Sequence, residues 1–161
     1  LSLNAQRDEL QVWNCGLPPI LLLRCVDGSV QSFHSQSLPL GLLASEELGV
    51  EPTRVPVTAG DDVFLFSDGL TEATDADGQL FGVDRVRQTL QQPRAQGEGF
   101  GAIMRALVDF RGATQVKDDL SVVCVSIGQT RTSSRAVAAA AKAEDRRTSQ
   151  GSAGPAESSR G

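Results

Sequence analysis

The segment 59–67, "AGDDVFLFS", constrains the fold most, because its centre, "VFLF", is apolar without interruption. A strand with one face in water alternates apolar and polar side chains, whereas this run is apolar on both sides. The strand therefore has to be packed on both faces, with one layer of structure above it and another below. The chain can supply those layers in a single domain, since it has 161 residues of which 40% are hydrophobic.

Further strands are predicted on either side of this segment. Residues 10–15 and 20–26 read as strands separated by the turn "GLPP", whose prolines cannot serve in a central ladder. The Asp-Gly pair in "VDGSVQSF" is a hairpin signal, so 20–26 is predicted to pair antiparallel with 30–33. A last strand of about eight residues is predicted at 120–127.

Two amphipathic helices are predicted between the strands. In "GVDRVRQTLQQ" (82–92) the apolar residues fall on one stripe, and "GFGAIMRALVDFR" (99–111) keeps apolar residues at i, i+3, i+4, i+7 and i+8. Strands on both sides of a helix pair, joined by hairpins, predict an α+β fold. We expect an antiparallel β-sandwich flanked by helices.

The composition divides the chain near residue 128. From residue 129 onwards there is no Leu, Ile, Phe, Met or Trp, so no apolar burial offsets the entropy of ordering the backbone. We therefore predict a domain at 1–128 and a disordered tail, rich in Ala, Ser and Arg, at 129–161.

Charge and cysteine content exclude several classes of protein. Residues 1–128 carry 17 acidic and 9 basic side chains, a balance that argues against nucleic acid as a partner. No apolar run approaches the roughly 18 to 20 residues of a membrane span, so no membrane contact is expected in this segment. Three cysteines, Cys15, Cys25 and Cys124, lack disulfide or zinc spacing, which favours free, mostly buried thiols and a cytoplasmic location.

Two aspartates stand beside predicted strands. Asp68 ends the strand at 63–67, and Asp118 immediately precedes the strand at 120–127. If these strands are antiparallel neighbours, both carboxylates lie at one sheet edge, where they repel each other unless a cation lies between them. Oxygen ligands without a nearby His or Cys favour Mg²⁺ or Mn²⁺. Spacing alone leaves a second interpretation open, in which Asp68 belongs to a turn and Asp118 to a solvated loop.

The order of motifs resembles a known family. The segments "NCGLPPILLL", "LPLGLL", "AGDDVFLFSDGLTEATDADGQLFG" and "KDDLSVVCV" are similar to those of the bacterial metal-dependent (type-2C, PPM) serine/threonine phosphatases, the SpoIIE/RsbU-like branch. The similarity covers residues 10–127 in the family's order. It implies a Mg²⁺- or Mn²⁺-dependent hydrolase in which a metal-activated water attacks phosphoserine or phosphothreonine of a regulatory protein.

The resemblance also implies roles for individual residues. Asp68 matches the aspartate of the family's S-D-G block and Asp118 the first aspartate of its D-D block, both of them metal ligands in the catalytic site. Gly69, Asp119 and Asn14 match supporting positions. The implied partner is a phosphorylated anti-anti-sigma (STAS-like) protein in a partner-switching pathway, and an upstream sensor or receiver domain is compatible with the family.

Two departures from the family pattern qualify these expectations. Leu17 stands where the family usually has a histidine. The family's G-D-x-x-D motif, whose aspartate bridges two metals, does not precede Leu10, so the resemblance implies the C-terminal portion of a phosphatase domain with an incomplete two-metal site. A truncated or degenerate phosphatase-like module, which binds a partner without catalysis, is the alternative.

Overall fold

The computed structural model of the chain describes residues 1–39, 42, 51–92, 98–114 and 118–128. The predicted tail at 129–161 and half of "LPLGLL" (residues 40, 41 and 43) lie outside the described residues. In chain order the elements are β1 (Ser2–Leu3), β2 (Glu9–Val12), β3 (Ile20–Leu23), β4 (Val30–Phe33), β5 (Thr53–Pro56), β6 (Asp62–Phe66), α1 (Asp68–Thr71), α2 (Gly82–Gln91), α3 (Gly99–Arg111) and β7 (Val122–Ser126).

The strands form two antiparallel sheets, with orders β1-β2-β5 and β4-β3-β6-β7. The predicted hairpin is confirmed: Ile20 pairs with Phe33 and Leu23 with Val30. Gly28, the glycine of the Asp-Gly pair, has φ 69°, a backbone conformation that glycine adopts without strain.

Strand β6 is packed on both faces, as its sequence requires. Val63 lies in a core cluster with residues of the three-stranded sheet, such as Leu10 and Val55. Phe64 and Phe66 lie in a second cluster that includes residues of α2 and α3. The prediction of an antiparallel sandwich flanked by helices is thereby confirmed.

Some local predictions need correction. The strands are shorter than predicted, since 10–15 ends at Val12, 20–26 ends at Leu23 and 120–127 runs only from Val122 to Ser126. Strand β5 and helix α1 were not predicted. In β5 the sequence "TRVP" ends in proline and gives no strong local strand signal; the strand forms because it pairs with β2 about forty residues away.

The cysteine prediction is confirmed in part. All three cysteines are free, but Cys25 is exposed while Cys15 and Cys124 are half-buried. Burial, assisted by the negative charge of Asp62, raises the pKa of Cys124 to about 11, so this thiol is protonated at neutral pH. Among the described residues, no helix is both long enough and apolar enough to cross a membrane.

Candidate functional site

The apolar strand β6 determines the position of Asp68. Phe66, at the end of the strand, is 4% exposed, and Leu70, in the first turn of α1, is completely buried. Asp68 is the first residue of α1 and is exposed. Because a buried side chain anchors the backbone on each side, the carboxylate is held at the rim of the sheet.

Asp118 approaches the same rim from the other direction. Phe66 pairs with Val122 at the end of the β6–β7 ladder, and the Ser67 N–H donates to the Ser121 carbonyl oxygen at 3.0 Å. The end of β6 and the beginning of β7 therefore meet at one edge, as the sequence predicted. Asp118 is exposed in the irregular segment that leads into β7.

Ser67 joins the two strand ends with its side chain. Its hydroxyl donates to the Asp119 carbonyl oxygen at 3.0 Å and accepts from the Ser121 N–H at 3.0 Å. Sequence reasoning did not find this role, although the serine in the S-D-G block was a signal for it. The two bonds fix the backbone next to Asp118 relative to the backbone next to Asp68.

Gly69 brings the same two segments into close contact. It is buried, and a Cβ atom added there would clash with the Asp119 carbonyl oxygen and lie 3.1 Å from the carbonyl carbon. Any side chain at Gly69 would therefore push the two segments apart. The structure thus places Gly69 against the backbone of Asp119, and the supporting role of both residues in the site stays a prediction.

The two carboxylates each use one oxygen locally. Asp68 Oδ1 accepts from the Gly69 N–H at 3.0 Å, and Asp118 Oδ1 accepts from the Asp119 N–H at 2.8 Å. These bonds orient both side chains and leave a second carboxylate oxygen on each exposed residue for a ligand.

The donor set fits one hydrated divalent cation. Mg²⁺ usually keeps several waters and takes only one or two carboxylates from the protein, and Mn²⁺ accepts the same oxygen ligands. No group of three or more His, Cys, Asp or Glu residues is arranged to hold a metal within the part of the chain that the structure describes. Asp68 and Asp118 therefore suit a single ion and do not by themselves form a two-metal site.

Asn14 has a structural position. It is 2% exposed, and its side-chain amide donates to the carbonyl oxygens of Pro18 at 3.0 Å and Phe33 at 3.1 Å. Its oxygen accepts from the N–H of Leu17, whose side chain is exposed. Asn14 thus ties the "GLPP" turn to the end of β4, and these bonds do not reach Asp68 or Asp118.

Asp61 is a buried carboxylate that sequence reasoning missed. It accepts hydrogen bonds at 3.0 Å from the backbone N–H groups of Cys25 and Thr58, and it forms a 3.0 Å ion pair with Arg24. Burial alone would raise its pKa, but these donors outweigh burial and hold the pKa of Asp61 below its ordinary value. Asp61 lies at the opposite end of β6 from Asp68, where it stabilises the fold.

Comparison with known proteins gives a family match. The family model described as Stage II sporulation protein E (SpoIIE) matches residues 1–128. A search of curated proteins found no match.

Several solved structures are similar in fold. The SiaA-PP2C domain of Pseudomonas aeruginosa is 21% identical with a TM-score of 0.61, over 76% of this chain and 48% of that one. The PP2C phosphatase domain of SpoIIE from Bacillus subtilis, solved with a fragment of its regulatory domain, is 23% identical with a TM-score of 0.58, over 75% and 35%. The RsbU and RsbW domains of Rv1364c from Mycobacterium tuberculosis are 20% identical with a TM-score of 0.55, over 78% and 34%.

These structures share the α+β PP2C fold with the chain. The chain spans about half the length of the SiaA domain and about a third of the other two solved chains. The fold that they share with this chain is thus part of a longer chain in each of those structures.

Proposed function

Because the chain belongs to the SpoIIE family, we propose that it is part of a metal-dependent protein serine/threonine phosphatase. The PP2C fold supports this activity, since the solved structures of that fold include a protein named as a phosphatase domain. The proposed reaction is the hydrolysis of a phosphoserine or phosphothreonine ester on a regulatory protein.

The observation that carries the proposal is the meeting of β6 and β7 at one rim. The pairing of Phe66 with Val122, extended by the Ser67–Ser121 bond, brings Asp68 and the segment of Asp118 to the same edge. Their exposed carboxylates are the groups that would hold Mg²⁺ or Mn²⁺. When bound, such an ion lowers the pKa of a water and offsets negative charge on phosphoryl oxygens.

The other residues of the rim act by positioning. Ser67 holds the Asp119 carbonyl and the Ser121 N–H, and Gly69 allows the two segments to approach. Both features keep the separation of the two carboxylates constant. A constant separation favours catalysis, because groups that stabilise the transition state act best when they are in position before its charge develops. Asn14 supports the site from a greater distance by fixing the neighbouring turn.

The proposed substrate is a phosphorylated regulatory protein of the anti-anti-sigma, STAS-like type. Family membership supports this choice, as does the fold shared with a protein that contains RsbU and RsbW domains. The proposal places the domain at 1–128, in the cytoplasm, with an upstream sensor or receiver domain in the complete protein.

A second candidate is a phosphatase-like module that binds its partner without hydrolysis. The observation that favours it is the donor count, since among the described residues no group of three or more His, Cys, Asp or Glu residues is arranged to hold a metal. The two candidates differ in one measurable property, which is turnover in the presence of metal.

Turnover of p-nitrophenyl phosphate separates the two candidates. It is measured with and without Mn²⁺, for the 161-residue chain and for any longer product of its gene. Under the phosphatase proposal we expect metal-dependent hydrolysis that Asp68→Asn and Asp118→Asn each reduce by at least about 100-fold. Asp77→Asn, at an exposed aspartate outside the rim, serves as the control. Hydrolysis unaffected by both rim substitutions contradicts the site, and phosphoprotein binding without any hydrolysis favours the second candidate.

A further inference from the structure

Strand β6, which leads directly to Asp68, has a neighbouring strand on each side among the described strands. On one side is β7, and the segment that leads into β7 carries Asp118. On the other side is β3, which pairs with β6 in the antiparallel direction. A substrate bound at Asp68 and Asp118 is therefore bordered, on the side away from β7, by β3 and the turn that leads into it.

The register of β3 and β6 places the turn before β3 at the same rim as Asp68. The pair closest to the rim joins Leu21 to Phe64, and the two strands are about 5 Å apart. Leu17 is four residues before Leu21, and Asp68 is four residues after Phe64. Because the strands are antiparallel, both counts run towards the same edge of the sheet. Leu17 and Asp68 thus lie beyond the ends of neighbouring strands at one rim.

The turn that carries Leu17 is fixed by hydrogen bonds. The Leu17 N–H donates to Asn14 Oδ1 at 3.2 Å, and the side-chain amide of Asn14 donates to the Pro18 carbonyl oxygen at 3.0 Å. The Gly16 N–H donates to Ser35 Oγ at 2.8 Å, which connects the turn to the segment after β4. A side chain on a turn that is already ordered costs less conformational entropy to bind than one on a flexible loop.

Leu17 presents apolar surface on this fixed turn, since the residue is 47% exposed. One exposed leucine is ordinary on a protein surface, so its position at the border of the candidate site, and not its exposure alone, gives it a role. Leucine offers a partner apolar contact only, whereas the histidine that is usual at this position in the family has two ring nitrogens for hydrogen bonds. A partner side chain that covers Leu17 gains most when it is itself apolar.

We propose that Leu17 is a specificity-determining residue, which packs against an apolar side chain of the phosphoprotein substrate while the phosphoryl group of that substrate is at Asp68 and Asp118. The inference rests on the proposed function and adds a selection among its substrates. The selected side chain is two to four positions from the phosphorylated residue. An extended chain advances about 3.3 Å per residue, so two to four residues cover about 7–13 Å, which spans one strand spacing and the turn beyond it.

The test compares phosphoserine peptides that differ at a single position, two to four residues before or after the phosphoserine, where each carries leucine, glutamine or glutamate. The value of kcat/KM is measured with Mn²⁺ for the 161-residue chain and for any longer product of its gene. At one or more of these positions we expect leucine to be favoured over glutamine by at least about fivefold, because leucine buries apolar surface against Leu17. The ratio within one preparation does not depend on the fraction of active protein.

Two substitutions at the same position give opposite expectations. Leu17→Ala should bring the leucine-to-glutamine ratio close to one, because most of the apolar contact is lost. Leu17→Lys should raise the glutamate-to-glutamine ratio at the same peptide position by at least about fivefold over the parent chain, because a lysine attracts a facing carboxylate. The matched control for added charge is Val26→Lys, at an 86% exposed residue beyond the other end of β3. At physiological ionic strength the control should leave both ratios unchanged, since charges further apart than about 8 Å are largely screened.

A leucine preference that is absent in the parent chain or unchanged by Leu17→Ala, or a glutamate preference that Val26→Lys raises equally, would overturn the inference. Hydrolysis by the parent chain tests the proposed function separately. If no peptide is hydrolysed, the same ratios are taken from equilibrium binding of fluorescently labelled peptides with Mn²⁺. Selective binding that Leu17→Ala abolishes would then support the contact and refute the phosphatase activity, whereas equal binding of all peptides, or no binding, would refute the contact as well.

Discussion

Gly69 illustrates how one residue can matter more for its missing side chain than for its chemistry. The carbonyl group of Asp119 occupies the space that a Cβ would need. The S-D-G sequence thus combines a hydroxyl that bonds to the facing strand, a carboxylate directed to the rim and a glycine that permits the approach. Each of the three residues has a different physical reason to be there.

Asp61 is the residue for which the structure gives the clearest energetic role. Its carboxylate is buried, accepts two backbone N–H groups and pairs with Arg24. Removing one partner of such a buried pair leaves the other charge without compensation. The pKa of Asp61 is lowered, so its contribution to stability is present above the ordinary aspartate value of 3.8 and is lost as the pH falls through the lower folded-state pKa.

We therefore expect Asp61→Asn to lower the free energy of unfolding at pH 7 by about 3 kcal/mol. The variant should also lose stability less steeply than the parent chain as the pH falls below the ordinary aspartate value of 3.8, because it lacks the carboxylate whose lowered pKa makes it become protonated there. Urea denaturation at a series of pH values measures both effects. The control is Asp77→Asn, at an exposed position; equal acid dependence in parent and Asp61→Asn would refute the role given to Asp61.

The junction between β6 and β7 is the element on which the site depends. Two strand ends stay together beyond the last regular pair because Ser67 uses its hydroxyl both as donor and as acceptor. An exposed loop would otherwise fray at this point, since few buried contacts hold the segment before β7. The proposed metal ligands Asp68 and Asp118 are therefore only as well ordered as this pair of hydrogen bonds.

Ser67→Ala should loosen the junction without unfolding the sandwich. We expect the Ser121 amide proton, which loses its acceptor, to exchange with solvent at least about tenfold faster, and stability to fall by about 0.5–1.5 kcal/mol. Hydrogen exchange followed by NMR measures the first effect. Ser121→Ala is the control, because that substitution retains both backbone groups of Ser121; faster exchange in the control as well, or in neither variant, would contradict the role of the Ser67 hydroxyl.

The elements that sequence predicted are those with strong local patterns. The apolar run of β6, the Asp-Gly turn between β3 and β4, and the stripes of α2 and α3 each carry their own signal. Strand β5 and the four-residue helix α1 carry no such local signal. Strand β5 depends on pairing with a distant strand, and α1 depends on the burial of Leu70. Such elements follow from tertiary contacts that a local window does not contain.

The candidate site was predictable to a similar degree. The positions of Asp68 and Asp118 next to strands, combined with an assumed pairing of those strands, gave the shared rim that the β6–β7 ladder confirms. Their role as metal ligands stays a prediction. The contacts of Ser67 and Gly69 could not be derived, because they depend on distances of a few ångströms between segments about fifty residues apart.

Within the described part of the chain, the four-stranded sheet leaves an apolar edge uncovered at β7, at the other end of the strand order from β4. Among the described strands β7 is the last in the order, and its valines Val123 and Val125 are 53% and 42% exposed. Edge strands in stable monomers usually carry a charge, a proline or a bulge that prevents pairing with another chain. The sequence "VVCVS" of β7 has neither a charged residue nor a proline.

The 161-residue chain on its own should therefore self-associate through β7. We expect analytical ultracentrifugation at tens of micromolar to detect dimers or larger species, and the double substitution Val123→Lys and Val125→Lys to shift them to monomer, because paired lysines repel across a shared edge. Val26→Lys, at an exposed turn position, is the control for added charge. A parent chain that is monomeric with a sharp cooperative melt, or association that survives the double substitution, would show that this edge is not the surface responsible. If the edge is responsible, the domain depends on a further strand for cover, and the rim that holds Asp68 and Asp118 gains rigidity when that strand pairs with β7.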